Sequence, residues 1–204
     1  MIIGKWNKSV ILTYVGLFFS ILGIFLCVTK ENSINYAMSC LIMAGICDLF
    51  DGFVARKCKR TEEEKKFGIQ LDSLVDVVSF IIFPIIIFIN MKLVSIYSLF
   101  AFFLFAICGI ARLAYFNIKV ENIEGPVKYY SGLPVTFSAL IFPMLYFIKF
   151  ILPLNIFNIV LTIAIYAVAI LNILNIKIIK PKKIGYLVFS LLAIVALVLY
   201  LGVL

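Results

Sequence analysis

The sequence predicts an all-α, polytopic membrane helix bundle of about seven transmembrane helices, and three observations predict it. Hydrophobic residues fill 65% of the 204 positions and charged residues 14%, against about 45–50% and about 25% in soluble domains. Too few polar groups remain to clothe that much apolar surface, so lipid must be the solvent. Seven apolar stretches approach the roughly 20 residues that a helix needs to cross the hydrocarbon core. Finally, the cations collect in the connections between alternate stretches, which is how a membrane topology is written in charge.

The stretches lie at about 10–29, 34–56, 68–89, 93–116, 132–150, 155–175 and 184–203. Trp6 stands just before the first, at the interfacial depth that amphipathic rings prefer. That first stretch is too long for a signal-peptide core, and no small-residue cleavage pattern follows it. Between the second and third stretches runs KCKRTEEEKKF at 57–67, read as a solvated loop or short surface helix with cations able to steer an anionic substrate. The longest polar connection is 117–131, expected on the cytoplasmic surface. Pro153 and Asn155 mark a turn between the fifth and sixth stretches. Neither repeat nor low-complexity tract divides the chain, so 1–204 is read as one integral-membrane domain.

Seven spans place Lys5, Lys8, Arg56, Lys57, Lys59, Arg60, Lys65, Lys66, Arg112, Lys119, Lys128, Lys177, Lys180, Lys182 and Lys183 on one side. Only Lys30, Lys92 and Lys149 fall on the other. Fifteen against three predicts a cytoplasmic N-terminus and an external C-terminus. The net charge of +8 therefore reads as topology and headgroup contact, with no nucleic-acid partner.

Four of the five cysteines (Cys27, Cys40, Cys47 and Cys108) lie inside apolar runs, and with Cys58 they form no metal-ligand spacing. They read as small buried hydrophobes. Histidine is absent, which removes the commonest general base and zinc ligand. Acid–base chemistry falls to carboxylates, lysine, tyrosine or cysteine.

The ten acids carry the functional signal. Six glutamates (Glu31, Glu62, Glu63, Glu64, Glu121 and Glu124) fall in connections. Asp48, Asp51, Asp72 and Asp76 fall inside the second and third apolar stretches. An ionised Asp at a helix centre costs about 2.5–3.5 kcal/mol even on the lenient insertion scale. Spacings of three and four put each pair on one helix face. Both pairs lie toward the same ends of consecutive antiparallel helices, with Asp76 about 12 Å in from Gly68 at about 1.5 Å per residue. Four converging carboxylates repel unless cations separate them, and hard divalent ions with oxygen ligands suit the task. Gly52, next to Asp51, and Ala55 leave a flat patch where a planar group can meet the backbone, although a mid-helix glycine also serves helix packing. Arg56 follows at the surface, suited to phosphate.

These residues resemble the signature of the CDP-alcohol phosphatidyltransferases, D-x2-D-G-x2-A-R, a spacer, then G-x3-D-x3-D. All eight fixed residues are present as Asp48, Asp51, Gly52, Ala55, Arg56, Gly68, Asp72 and Asp76. The spacer has eleven residues where the family usually has eight or nine, which predicts a longer surface turn. FGIQLDSLVDVVSF at 67–80, ARLAYFN at 111–117 and SGLP at 131–134 resemble segments of the membrane-embedded phosphatidylserine synthases within that family. The first helix departs from a common family pattern, Thr-x-x-Asn: here Thr13 is followed by Gly16.

The resemblance implies transfer of a phosphatidyl or archaetidyl group from a CDP-linked lipid to an alcohol, here L-serine, with release of CMP. It implies two divalent cations (Mg2+, Mn2+ or Ca2+) held by Asp48, Asp51, Asp72 and Asp76, with Asp76 also the catalytic base. It assigns CDP binding to Asp48, Asp51, Gly52, Ala55, Arg56, Gly68 and Asp72, with Thr13 in support. Arg112, Asn117 and Lys119 are the candidates for an acceptor or lipid-phosphate pocket, and a homodimer in the cell membrane, its site facing the cytoplasm, is expected. Two other readings stay open: a sibling enzyme using glycerol 3-phosphate or inositol phosphate, and a cation transporter whose acids bind the transported ion. The transporter must explain why the acids gather at one end of the helices. A scaffold leaves them unexplained.

Overall fold

The computed structural model describes residues 4–121, 129–179 and 183–202. The described chain is a helix bundle: α1 (Ile11–Thr29), α2 (Ile34–Lys57), α3 (Glu62–Asp76), α4 (Phe83–Asn90), α5 (Ile96–Glu121), α6 (Ser138–Tyr146), α7 (Leu154–Ile173) and α8 (Lys183–Gly202). Among the described residues, five helical runs are long and apolar enough to cross a membrane: Lys8–Thr29, Ile34–Lys57, Glu62–Asn90, Ile96–Lys119 and Leu154–Ile173. Two shorter apolar runs, Val135–Phe150 and Val188–Gly202, stand where the fifth and seventh spans were expected. Single 3-10 turns flank α6 and Pro143 lies within it. The steeper 3-10 rise stretches this run to about 28 Å, close to the hydrocarbon thickness.

α1 and α2 form an antiparallel pair joined by a tight turn in which Asn32 takes φ 55°. The buried face of α1 is Thr13, Gly16, Ser20, Gly23 and Cys27. All are small, and they alternate in steps of three and four. Ala37, Cys40, Ala44 and Cys47 face them from the buried side of α2. A Cβ on Gly16 would stand 3.2 Å from Cys47 Cβ, and one on Gly23 would stand 2.9 Å from Cys40 Cβ. Lipid gives no hydrophobic drive for helix pairing, so close backbone approach through small residues supplies it.

α3 continues into α4 through a π-helical segment, Val77–Ile82. Pro84 has no N–H to return to the preceding turn, and the buried Ser138 hydroxyl donates to Phe80 O at 2.9 Å. The π segment is tied to α1 by the hydrogen bond from Ser20 Oγ to Ser79 Oγ, 2.8 Å. Phe80, Phe83, Phe88, Phe105 and Phe142 fill the core between these elements. Edge-to-face contacts of Phe142 with Phe88 and Phe105, at 4.9 and 5.7 Å, hold α6 against α4 and α5. α7 packs along α5, and α8 along α2. Phe18, Phe25, Phe103 and Ile163 point outward, as lipid-facing residues do.

Two expectations need correcting, the long surface turn in the spacer and the loop from 117 onward. The 57–67 segment is mostly helix: α3 begins at Glu62, behind a capping box in which Glu64 N donates to Thr61 Oγ1 (3.2 Å) and Thr61 N to Glu64 Oε2 (2.7 Å). Only Cys58–Thr61 is turn. The extra spacer length is therefore absorbed as helix. Likewise α5 runs to Glu121, so Asn117 and Lys119 sit on helix where a loop was expected. A small antiparallel sheet was not foreseen: β1 (Tyr129–Ser131) pairs with β2 (Lys177–Ile179), with Tyr130 opposite Ile178. Lys128, Lys180, Lys182, Glu124 and the end of the seventh stretch lie outside the described residues.

Candidate active site

The end of α2, the second half of α3, the end of α5 and the segment before α6 enclose a cavity of about 500 Å3. α2 contributes Asp48, Asp51, Gly52, Ala55 and Arg56, and α3 contributes Gly68, Asp72 and Asp76. Thr13 of α1, Arg112 and Asn117 of α5, and Thr136 before α6 complete the polar wall. Phe137, Leu140, Phe189 and Ala193 make another part of the lining apolar. Every motif residue expected at the site thus meets the same space.

The α1–α2 seam delivers one of the polar contacts directly. Thr13 Oγ1 donates to Asp51 Oδ2 at 3.0 Å, and Asp51 lies beside Asp72. One oxygen each of Asp48, Asp72 and Asp76 lies within 4.8 Å of the others. Asp76 is buried, 7% exposed, and the other three are half-buried. Two ionised carboxylates that close repel by at least about 3 kcal/mol, even at an effective dielectric constant of about 20. Divalent cations hold oxygen ligands at about 2.0–2.6 Å, so three oxygens mutually within 4.8 Å can share one ion. The donor set is all hard oxygen, and the trio fits a divalent cation on both distance and chemistry.

Both motif glycines border open space. A Cβ on Gly52 would meet only Arg56 Nη1, at 3.5 Å, and one on Gly68 only Arg60 Nη1, at 3.8 Å. Helix packing therefore asks for glycine at neither place. Gly45 and Gly109 differ, since Cβ atoms there would come within 2.6 Å of Ala139 Cβ and Ile81 Cδ1.

On the α5 wall, Arg112 is buried, 8% exposed, with its guanidinium 5.6 Å from the Phe116 ring centroid. Ser73 Oγ donates to Asn117 Oδ1 at 2.9 Å, and Asn117 Nδ2 to Gln70 Oε1 at 3.4 Å. Asn117 thus ties α5 to α3 while facing the cavity. Lys119 does not line the cavity: its Nζ donates to Ser131 Oγ at 2.9 Å and joins α5 to β1. The cause is periodicity, since two residues past Asn117 is about 200° around the helix. Among the lining residues, Ser73 and Phe137 are not singled out by the sequence, and Arg60 stands there only as one of the spacer's cations. Ser73 sits inside the motif, Phe137 follows SGLP, and Arg60 lies in the charged spacer.

A family model described as CDP-alcohol phosphatidyltransferase matches residues 6–174. The chain belongs to the CDP-alcohol phosphatidyltransferase family. It is 36% identical over 115 residues to the CDP-diacylglycerol–serine O-phosphatidyltransferase of Saccharomyces cerevisiae, covering 53% of this chain and 41% of that one. It is 30% identical over 140 residues to the archaetidylserine synthase of Methanothermobacter thermautotrophicus, covering 68% and 58%. A CDP-diacylglycerol–serine O-phosphatidyltransferase of Methanocaldococcus jannaschii is 37% identical over 105 residues, covering 52% and 47%. The chain spans about half the length of these curated relatives. Within the family, the eight motif residues are the ones gathered around the cavity, and the acidic trio accords with the family's use of divalent cations.

Proposed function

We infer that this family member transfers the phosphatidyl or archaetidyl group of a CDP-linked lipid to the hydroxyl of L-serine, releasing CMP. The observation that carries the reading is the meeting of all eight motif residues, the buried Arg112 and Asn117 around one cavity to which α6 and α8 add apolar side chains. A nucleoside diphosphate suits the polar lining and a lipid chain the apolar one. The narrower choice of serine rests on the relatives' names and on the 67–80, 111–117 and 131–134 segments.

Asp48, Asp51, Asp72 and Asp76 would hold two divalent ions, Mg2+, Mn2+ or Ca2+, which supply neutralisation of the diphosphate charge when bound. Gly52 and Gly68 leave room against the backbone for the nucleotide, and Ala55 keeps the α2 face low beside it. Arg56 balances the charge of the departing CMP. Asp76 accepts the serine hydroxyl proton as the serine oxygen forms its bond to the lipid-bearing phosphorus. The bond from that phosphorus to the bridging oxygen breaks, and CMP leaves with the bonding pair. Arg112 suits the acceptor carboxylate or the lipid phosphate, with Asn117 beside it. The site faces the cytoplasm in this reading, the N-terminus is cytoplasmic, and a second copy of the chain makes a homodimer, as the family resemblance implies.

The test is CMP release from CDP-diacylglycerol and CDP-archaeol by the purified chain, with and without divalent ions and a chelator. L-serine, glycerol 3-phosphate and inositol phosphate are offered in parallel. Serine-dependent, chelator-sensitive release is expected. Release driven best by another alcohol would move the chain to a sibling activity, and ion flux without release would favour the transporter. Asp76→Asn should lower turnover about 10²–10⁴-fold, the usual worth of a positioned base, while CMP still binds. Near-normal turnover would remove Asp76 from that role.

A further inference from the structure

The turn between α2 and α3 holds a cation that the family motif does not include. Arg60 precedes the N-cap Thr61, surrounded in sequence by Glu62, Glu63 and Glu64. The nearest expectation is that it pairs with them. Each of those acids is engaged elsewhere. Glu62 pairs with Lys65 at 2.6 Å, Glu63 with Lys5 at 2.7 Å, and Glu64 accepts from Thr61 N at 2.7 Å and from Asn7 Nδ2 at 3.1 Å. Arg60 instead turns away from its own turn and lines the cavity. Its Nη1 lies 3.8 Å from where a Cβ on Gly68 would stand. Its Nε is buried without a hydrogen-bond partner, and among the described residues it forms no ion pair.

A guanidinium half out of water, with a buried donor unmet, is an unfavourable resting arrangement unless an anion completes it. The cavity offers the position for one. Arg56 lies across Gly52, and Arg60 lies near Gly68. Two planar forks thus stand at two glycine gaps on the α2–α3 wall, whereas the apolar Phe137, Leu140, Phe189 and Ala193 come from α6, the turn before it and α8.

We propose that Arg60 is a second phosphate-binding arginine, holding the phosphate on the nucleotide side of the substrate and of the CMP product. The proposal rests on the transferase reading, which fixes the anion as a phosphate. The lipid's own phosphate shares the same chemistry, but its chains belong against the apolar lining, and the buried cation of the α5 wall is Arg112, near Asp48 and Asp76. Arg60 and Arg56 would therefore grip the leaving group, and Arg112 the part that is transferred.

The experiment measures binding of CMP and of dioctanoyl phosphatidic acid to the full chain in detergent, with divalent ions present. Arg60→Gln should weaken CMP by about tenfold, as expected for a lost hydrogen bond to a charged group, and leave phosphatidic acid unchanged. Lys59→Gln, which removes one charge from the same turn outside the cavity, should change neither. Equal loss for both ligands, loss for phosphatidic acid alone, no loss, or the same loss in Lys59→Gln would each overturn the assignment. Phenylglyoxal modification of the wild-type chain, mapped by mass spectrometry, needs no variant: CMP should shield Arg60, and unshielded labelling overturns the proposal. A wild-type chain that binds no CMP at all would instead sink the transferase reading itself.

Discussion

Gly52 separates two demands that a single residue rarely lets one tell apart. A helix interior disfavours glycine by about 1 kcal/mol relative to alanine. Nothing in the fold compensates, because a Cβ there would touch only the mobile end of Arg56, at ordinary contact distance. The space beside it belongs to the cavity. Gly52→Ala should therefore leave the melting temperature in detergent unchanged or slightly raised, while CMP release falls at least about tenfold through lost room for the nucleotide. A fall in both would return the residue to packing. The sequence made Gly52 legible as a candidate because it adjoined two acids. It could not choose between ligand space and helix packing, since that choice depends on what the opposite helix places there. Arg60 was less legible still. It is one of six cations between 56 and 66, and only the fold reveals that it turns inward.

Helices were read well where their ends are apolar and poorly where they are charged. The α3 onset at Glu62 was missed because an apolar window begins only at Gly68. The local signal was nevertheless present, since Thr61 followed three residues later by Glu64 is a capping box. The π segment below Asp76 left no comparable mark, because it is a property of hydrogen-bond register in a run that is apolar throughout. The α1–α2 seam was in view as Thr13 and Gly16, yet it was weighed only as a departure from a family pattern. In the fold the departure has a use: Gly16 lets α1 approach Cys47 and Ala44 of α2, and that approach brings Thr13 onto Asp51. Gly23 continues the seam one heptad further from the site. A Cβ at Gly23 would collide with the Phe83 ring and stand 2.9 Å from Cys40 Cβ. Gly23→Ala should cost about 1–3 kcal/mol of stability, the usual penalty of overpacking. Thermal unfolding in detergent checks it. Below the lowered transition, CMP affinity should match the parent chain, since the carboxylates and the glycine gaps lie at the other end of the helices. A loss of affinity without a loss of stability would mean that the seam acts on the site directly.

At the scale of the whole molecule the open question is which way the bundle sits in the membrane. The proposed orientation, which follows the cation count, has the α2–α3 turn and the cavity beside it facing the cytoplasm. The bundle carries a natural reporter for that placement. Cys27, Cys40, Cys47 and Cys108 are buried in the bundle, and only Cys58, in the α2–α3 turn, is partly exposed. Thiols react as thiolates and need access, so a bulky membrane-impermeant maleimide should find Cys58 first. In right-side-out vesicles labelling should be low until the membrane is permeabilised. In inverted vesicles it should be immediate, and Cys58→Ser should abolish it in both. Labelling from the outside of sealed, right-side-out vesicles would invert the bundle and put the cavity mouth on the external face. The CDP-linked lipid and serine would then have to meet it from outside, which a cytoplasmically supplied nucleotide lipid does not readily do. The same measurement therefore tests the orientation and, through it, whether this cavity can be reached by the substrate proposed for it.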